Sequence, residues 1–371
     1  MNEKDPISEL KRLGQSVWLD QIDRGMIKSG QLARLRDQGV SGVTANPTIF
    51  AKALETSDAY AEDVHDRLSR GRQPEAVLWD LLIEDVQAAA DLFRPVFDRE
   101  RGADGYVSIE VSPEIAGDTE ATIAAARDLR LRTARPNVMV KIPATPAGLP
   151  AIQAMIAEGA NINVTLIFAI ERYVKVVEAF LAGLEQRRAA GDDVKVVHSV
   201  ASFFVSRVDT KVDQQLEAKV KAADGGQAQA LLGRAAIANS KLAYELFTQL
   251  HSGARWDALH AAGATVQRCL WASTSTKNKR YPDTMYVDEL IGPATINTMP
   301  LATFEAFRDH GHAELTLQKD VDGARRVLDE LARQGIDLAA ITQELEDEGV
   351  AGFAKSYRES IGNLPKVRVG R

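Results

Sequence analysis

The sequence of 371 residues has little of what secreted and membrane proteins need. It contains one cysteine, Cys269, so no disulfide can form within the chain, which is typical of a reducing compartment. No apolar run approaches the ~18 residues of a membrane-spanning helix, and the polar residues at the start do not resemble a signal peptide. These absences predict a cytoplasmic protein that does not associate with membranes.

An excess of positive charge is also absent. The chain has 45 Lys and Arg residues against 52 Asp and Glu, which gives a formal net charge of −7. Binding to nucleic acid or to an anionic membrane surface depends on clustered Lys and Arg, so neither is expected as a partner. An anionic ligand of this protein must therefore be small and bound by a few local cations.

The sequence has neither a GxGxxG motif nor a Walker-type loop, the glycine-rich turns that bind phosphates in many open sheets. Short runs rich in Val, Ile and Thr alternate with longer segments of helical period, which is the pattern of a parallel sheet. The predicted strands are 16–20, 42–46, 106–112, 138–143, 161–168, 195–204, 268–273 and 284–291. This α/β pattern of eight strand–helix units favours a closed (β/α)8 TIM barrel.

Two stretches exceed a minimal barrel. Residues from about 208 to 267 predict additional helices inserted between strands 6 and 7, and the tail of about 301–371 predicts further helices, most clearly at 313–336. No linker rich in Pro, Gly or Ser separates either stretch from the rest. We therefore predict one domain, 1–371, in which both stretches are additions to the barrel.

Alternation along the strands identifies polar side chains that share a face. Val138, Val140 and Ile142 lie on one face of strand 4, which leaves Met139 and Lys141 on the other. A lysine between apolar neighbours is unusual, because burying an unpaired ammonium group is costly and the neutral form is favoured. This position makes the lysine a candidate for catalysis.

Other strands have polar residues near their carboxyl ends, the rim where barrel enzymes build active sites. These residues are Asp20, Asn46, Glu110, Asn163, Thr165 and Ser202. Taken singly, each has a simpler interpretation as a helix cap or turn residue, and Glu110 as the ion-pair partner of Lys141. Their convergence on one rim favours a functional site.

Covalent amine catalysis suits this set of residues. A neutral lysine attacks a ketone, and the protonated Schiff base then accepts electrons during cleavage of a carbon–carbon bond. The reaction needs a carboxylate to move protons, for which Asp20 and Glu110 are candidates. It requires no metal, the six histidines form no credible ligand cluster, and we expect no cofactor.

Seven segments in order along the chain resemble the transaldolase family, in particular its longer bacterial form. They are 16–50, 107–113, 138–148, 161–168, 202–209, 270–278 and 290–300. The most specific is VMVKIPATPAG, which is followed about twenty residues later by NINVTLIF. The resemblance implies a TIM barrel that transfers a dihydroxyacetone unit from sedoheptulose 7-phosphate to glyceraldehyde 3-phosphate, giving erythrose 4-phosphate and fructose 6-phosphate. This reaction belongs to the non-oxidative pentose phosphate pathway.

The resemblance also implies roles for individual residues. Lys141 corresponds to the Schiff-base lysine and Asp20 to the acid/base carboxylate. Glu110 matches the carboxylate that, with Thr165, holds the water used when the carbinolamine forms and breaks. The residues that match groups holding the hydroxyls of the three-carbon unit are Asn46, Asn163 and Ser202.

For the phosphate group, Arg207 fits the arginine of the family and Ser273 fits a serine after strand 7. Many members have a second arginine soon after that serine, whereas here the cation is Lys277. A lysine keeps the charge of an arginine but loses its bidentate geometry. We expect sugar phosphates as substrates, bound in part by these three residues.

Two alternatives stay open. The chain could be another lysine-dependent barrel aldolase, in which water rather than a second aldose phosphate intercepts the enamine. It could also be a catalytically dead barrel that binds sugar phosphates, although the presence of Lys141, Asp20 and Glu110 argues against this. No feature of the sequence predicts an oligomeric state.

Overall fold

The computed structural model describes residues 5–56, 58–221 and 226–366. Eight parallel strands form a closed barrel in chain order, and β8 closes the barrel by pairing with β1. The strands are β1 Gln15–Leu19, β2 Val40–Thr44, β3 Val107–Glu110, β4 Val138–Pro143, β5 Ile162–Ile167, β6 Ser199–Phe204, β7 Arg268–Ala272 and β8 Thr295–Met299. The predicted TIM barrel is confirmed.

Helices surround the barrel and cover its outer face. In the described part of the chain they are α1 Pro6–Arg12, α2 Arg24–Lys28, α3 Gln31–Asp37, α4 Pro47–Thr56, α5 Ala61–Ser69, α6 Pro74–Arg99, α7 Thr119–Thr133, α8 Gly148–Ala157, α9 Ile170–Ala189, α10 Ser206–Val220, α11 Gly226–Gln229, α12 Ala235–Leu250, α13 Gly253–Ala261, α14 Met285–Asp288, α15 Leu301–His310, α16 Val321–Arg333 and α17 Leu338–Asn363. None of these helices is long and apolar enough to span a membrane.

The first seven predicted strands overlap the observed ones, but the eighth prediction was wrong. Residues 284–291 contain the short helix α14, and β8 follows at Thr295–Met299. The apolar side chains that suggested a strand are buried: Tyr286, Val287, Leu290 and Ile291. A short apolar run fits a buried helical segment as well as a strand, so periodicity alone does not separate the two.

The predicted additions to the barrel are present. Helices α10 to α13 lie between β6 and β7, and α15 to α17 follow β8, while 222–225 and 367–371 of these two stretches lie outside the described residues. Helix α16 starts later than predicted, because Asp320 caps it: its side chain accepts a hydrogen bond from the Gly323 amide at 3.0 Å. The single-domain assignment stays a prediction.

The register of the sheet aligns polar side chains of adjacent strands. Glu110 of β3 pairs with Lys141 of β4, and Lys141 pairs with Asn163 of β5. The last long helix, α17, packs against α4, α10 and β5. Since α4 and α10 follow the carboxyl ends of β2 and β6, α17 lies along the same rim as these polar residues.

Candidate active site

Lys141 lies in the interior of the barrel beside a carboxylate. Its Nζ is 3.2 Å from Oε2 of Glu110 and donates a hydrogen bond to the Ala45 carbonyl at 3.3 Å. Both charged residues are 4% exposed. The two groups form the ion pair that the simpler interpretation of Glu110 describes, because the register of β3 and β4 places Glu110 next to Lys141. A proton can move directly between the two groups at this distance.

Glu110 is an unusual partner, because burial raises the pKa of its carboxyl while the charge of Lys141 opposes that shift. Neither of its oxygens accepts a well-aligned hydrogen bond from the described residues, and the buried hydroxyl of Thr165 on β5 also has no partner there. Buried polar atoms are normally satisfied by protein or by water. These oxygens therefore form a polar surface that can hold a water molecule or a substrate hydroxyl.

Asp20 follows the end of β1 and accepts a hydrogen bond from a threonine of β2, which in turn contacts a threonine of β8. Thr44 Oγ1 donates to Asp20 Oδ1 at 2.9 Å and lies 3.0 Å from Thr298 Oγ1. Burial raises the pKa of the Asp20 carboxyl, and Lys141, the hydrogen bond from Thr44 and Arg207 oppose the shift. A carboxyl with a raised pKa is a stronger proton acceptor than a free carboxylate, so it is suited to accept a proton and to return it later in a reaction.

A chain of hydrogen bonds crosses three strands and fixes the orientation of an amide. Ser202 Oγ of β6 donates to Asn163 Oδ1 at 2.7 Å, and Asn163 Nδ2 donates to Ser108 Oγ of β3 at 3.0 Å. All three residues are buried. The barrel thus brings Asn163 and Ser202 together beside Lys141, as donors and acceptors for hydroxyl groups.

Asn46 follows β2 and has the role of a helix cap that its position before Pro47 suggested. Its Oδ1 accepts a hydrogen bond from the Ile49 amide at 2.9 Å, in the first turn of α4. This contact uses the amide oxygen only. Within the described residues the Nδ2 group has no hydrogen-bond partner, so its two hydrogens can act as donors.

Arg207 is the second residue of α10 and supplies a cation at the carboxyl rim. Its guanidinium lies over the Phe204 ring, 5.4 Å from the centroid, and within the described residues it forms no ion pair or hydrogen bond. Burial lowers its pKa, and the charge of Asp20 opposes this shift. A guanidinium without a carboxylate partner is suited to bind a phosphate.

Lys277 and Ser273 lie on the segment that follows β7, close to α10. Lys277 is exposed, and its Nζ donates to Ser275 Oγ at 2.8 Å. Partial loss of hydration is the main cause that lowers the pKa of Lys277, and the charge of Arg207 is the next. The two cations therefore influence the same part of the rim. Ser273 has a left-handed φ of 57°, and its carbonyl accepts from the Ser206 amide at 3.0 Å.

The sequence reasoning missed the contribution of β8. Thr298 contacts Thr44, the residue that donates a hydrogen bond to Asp20. Asn297 Oδ1 accepts a hydrogen bond from Thr274 Oγ1 at 2.8 Å. Asn297 and Thr298 both lie outside 284–291, the predicted eighth strand. The signal was present in the run TINTM, in which polar residues occupy a strand that is buried throughout. Among the described residues, no group of three or more His, Cys, Asp and Glu side chains could hold a metal ion.

Comparisons with known proteins agree with the resemblance. A sequence profile of the family described as Transaldolase/Fructose-6-phosphate aldolase matches residues 17–364. A transaldolase of Thermobifida fusca is 50% identical over 361 residues, which cover 97% of each chain. A transaldolase of Mycolicibacterium paratuberculosis is 47% identical over 370 residues, which cover 99% of this chain and 98% of the relative.

Proposed function

The chain belongs to the transaldolase/fructose-6-phosphate aldolase family, and from this premise we propose that it is a transaldolase. It transfers a dihydroxyacetone unit from sedoheptulose 7-phosphate to glyceraldehyde 3-phosphate and forms erythrose 4-phosphate and fructose 6-phosphate, in the non-oxidative pentose phosphate pathway. The observation that carries the proposal is the buried pair of Lys141 and Glu110 at the barrel rim, 3.2 Å apart. We also propose a cytoplasmic location, which the single cysteine supports.

The Schiff base forms on Lys141. The ammonium group passes a proton to Glu110, whose pKa is raised by burial, and the neutral amine attacks the C2 carbonyl of the ketose phosphate. The resulting carbinolamine loses its hydroxyl as water after Glu110 returns the proton. The unpartnered oxygens of Glu110 and Thr165 support their role in holding this water.

Cleavage of the C3–C4 bond follows. Asp20 accepts the proton of the C4 hydroxyl, the aldose phosphate departs, and the bonding electrons move into the iminium to give an enamine on Lys141. The enamine then attacks the aldehyde of the acceptor, and Asp20 returns its proton to the new hydroxyl. Hydrolysis reverses the first step and releases the product.

Binding groups surround these atoms. Asn46, Asn163 and Ser202 hold the hydroxyls of the three-carbon unit, supported by the free amide hydrogens of Asn46 and the ordered chain through Asn163. Arg207, Ser273 and Lys277 bind the phosphate group. The amino-terminal end of α10, which has no side-chain cap, adds backbone donors in the same place.

The test uses fructose 6-phosphate with and without an acceptor. With erythrose 4-phosphate, a transaldolase forms sedoheptulose 7-phosphate and glyceraldehyde 3-phosphate in equal amounts. The alternative, a lysine-dependent aldolase, releases free dihydroxyacetone from fructose 6-phosphate alone at a comparable rate. A catalytically dead barrel would form no product. Release of free dihydroxyacetone at a comparable rate without an acceptor, or the absence of any product, would overturn the proposal.

A further inference from the structure

Two buried aspartates on α10 have the same kind of surroundings. Asp209 accepts hydrogen bonds from the Tyr286 hydroxyl and the Ala236 amide, both at 2.8 Å. Asp213, one helical turn later, accepts from the Tyr281 hydroxyl at 2.6 Å and the Gly233 amide at 2.9 Å. Within the described residues, neither carboxylate has a cation within ion-pair distance.

Each carboxylate therefore joins two segments to α10. The tyrosines belong to the segment after β7, and the amides belong to the insertion before β7. The ring of Tyr281 packs closely against the insertion, because a Cβ added at Gly233 would lie 2.8 Å from Tyr281 Cζ. The Asp209 carboxylate also lies at the start of α12, which has no side-chain cap of its own.

These aspartates are part of a stripe along one side of α10, formed by Ser206, Asp209, Asp213 and Glu217, at the spacing of helical neighbours. Ser206 contacts Ser273, with their hydroxyls 3.0 Å apart, and Glu217 pairs with Arg280. The segment after β7 thus runs out along α10 from Ser273 to Arg280 and returns through Tyr281 to Tyr286. Lys277 lies on the outward part, three residues before Arg280.

The arrangement has a consequence for the two cations of the rim. Arg207 lies on α10, two residues before Asp209, and Lys277 lies on the segment that the stripe holds in place. Their like charges repel each other, and an exposed lysine on a free loop would lose much conformational freedom on binding a ligand. Anchoring both ends of the segment to α10 removes part of this entropic cost in advance.

We propose that Asp209 and Asp213, through Tyr286 and Tyr281, are positioning residues that set the spacing of Lys277 and Arg207 for the phosphate group of the sugar. The proposal rests on the proposed function, in which these two cations bind that phosphate. It gives the insertion between β6 and β7 a role, since its backbone amides hold the other oxygen of each carboxylate.

The test is Tyr281→Phe, which removes the hydroxyl and keeps the ring. We expect the KM for fructose 6-phosphate to rise about 3- to 10-fold, the factor that corresponds to one lost hydrogen bond. The kcat and the weak reaction with unphosphorylated fructose should stay unchanged, since neither depends on the phosphate contact. Tyr244→Phe is the matched control, because its hydroxyl bonds to the Pro293 carbonyl at 2.9 Å, away from this segment.

A double variant tests whether the effect passes through Lys277. In a Lys277→Ala background, Tyr281→Phe should have no further effect on KM, because the group that it positions is gone. Equal factors in both backgrounds, or a lower melting temperature with unchanged KM, would overturn the proposal. Asp213→Asn, which keeps one acceptor oxygen, gives a second route if Tyr281→Phe is poorly folded.

Arg207→Ala separates failure of this proposal from failure of the proposed function. It should raise the KM for fructose 6-phosphate about 10- to 150-fold, the range for a lost charge-assisted hydrogen bond, and leave the fructose reaction nearly unchanged. If it impairs both sugars equally, the phosphate site itself is wrong. If it behaves as expected and Tyr281→Phe has no effect, only the positioning role is wrong.

Discussion

Lys141 is buried because β4 is covered on both of its faces, so that even its polar face is screened from solvent. The alternation of Val138, Val140 and Ile142 already separates this lysine from the outward face. The neighbouring strand then supplies Glu110, which lets the ammonium group be buried without an unpaired charge. The ion-pair interpretation of Glu110 and its proposed catalytic role are therefore compatible.

Reduction by borohydride in the presence of fructose 6-phosphate should fix a three-carbon adduct on Lys141, since the iminium becomes a stable amine. Mass spectrometry of proteolytic fragments locates the adduct. Lys241 is the matched control: it is also buried, but it bonds to the Lys319 carbonyl outside the barrel. We expect Lys241→Ala to keep the adduct and Lys141→Ala to lose it. Full activity of Lys141→Ala would contradict the mechanism.

The two carboxylates should differ in the step that they affect. Asp20→Asn should lower turnover about 100- to 10,000-fold and accumulate uncleaved Schiff base, because its proton transfer belongs to bond cleavage. Glu110→Gln should instead slow formation of the Schiff base, since it exchanges protons with Lys141. Rapid mixing followed by borohydride trapping measures both steps. Small and equal effects of the two changes on each step would reduce both residues to structural partners.

At the scale of elements, α17 approaches the barrel through a glycine. A Cβ added at Gly349 would lie 2.9 Å from Leu166 Cδ2, and Leu166 is fully buried with a φ of 59°. Three residues later, Gly352 is exposed, and an added Cβ would have nothing within 4 Å. The helix therefore offers two glycines with opposite surroundings.

We expect Gly352→Ala to stabilise the protein by about 0.5–1 kcal/mol, because alanine loses less backbone entropy in a helix. Gly349→Ala gains the same term but forces Leu166 to shift, at a cost of about 1–3 kcal/mol, so its net effect should be destabilising. Urea unfolding of both variants measures the difference. If the two changes stabilise the protein equally, the side chain of Leu166 has room to move.

The segment 284–291 shows why the type of a secondary-structure element is harder to predict than which of its side chains are buried. Tyr286 and Val287 are buried like strand residues, but they belong to α14, and the Tyr286 hydroxyl is bonded to Asp209 of α10. The true β8 has Thr295, Asn297 and Thr298 among its five residues. These polar side chains are tolerated in a buried strand because Gln15, Thr44 and Thr274 of other elements hydrogen-bond to them, which local periodicity does not show.

At the scale of the whole molecule, stability depends on carboxylates that folding removes from water. Burial raises the pKa of Asp20, Asp85, Glu110, Asp209, Asp213 and Glu346. For Asp209 the pKa rises from 3.8 to about 7. Between these values the folded state binds a proton that the unfolded state has released. The stability due to this group is therefore present at low pH and is lost as the pH rises.

Asp209→Asn should remove that dependence. The stability of the parent relative to the variant should fall as the pH rises from about 4 to 7, at up to about 1.4 kcal/mol per pH unit. Asp91→Asn is the control, because Arg135 lowers the pKa of this exposed carboxyl, so its contribution to stability is lost as the pH falls and does not decline as the pH rises across the window. Denaturant unfolding at several pH values gives both curves. Parallel curves for the parent and Asp209→Asn would contradict the raised pKa.

Local patterns were enough to predict the strand–helix alternation and the interior position of Lys141. Both follow from interactions between near neighbours in the chain, since a strand turns its side chains with a period of two. The register was not predictable, because pairing of Glu110 with Lys141 and of Thr44 with Asp20 depends on how separate strands align. Only the closed barrel brings these groups to one rim.

The residues proposed to bind phosphate also depend partly on sequence and partly on tertiary structure. The sequence shows that the basic residues Arg207 and Lys277 are present, and the family resemblance implies their role. Their juxtaposition depends on Asp209 and Asp213, which hold the segment after β7 against α10 through Tyr286 and Tyr281. These contacts join residues that are 68 and 77 positions apart in the sequence. Such hydrogen bonds exist only where the fold brings α10 and this segment together, so tertiary structure alone decides where Lys277 lies.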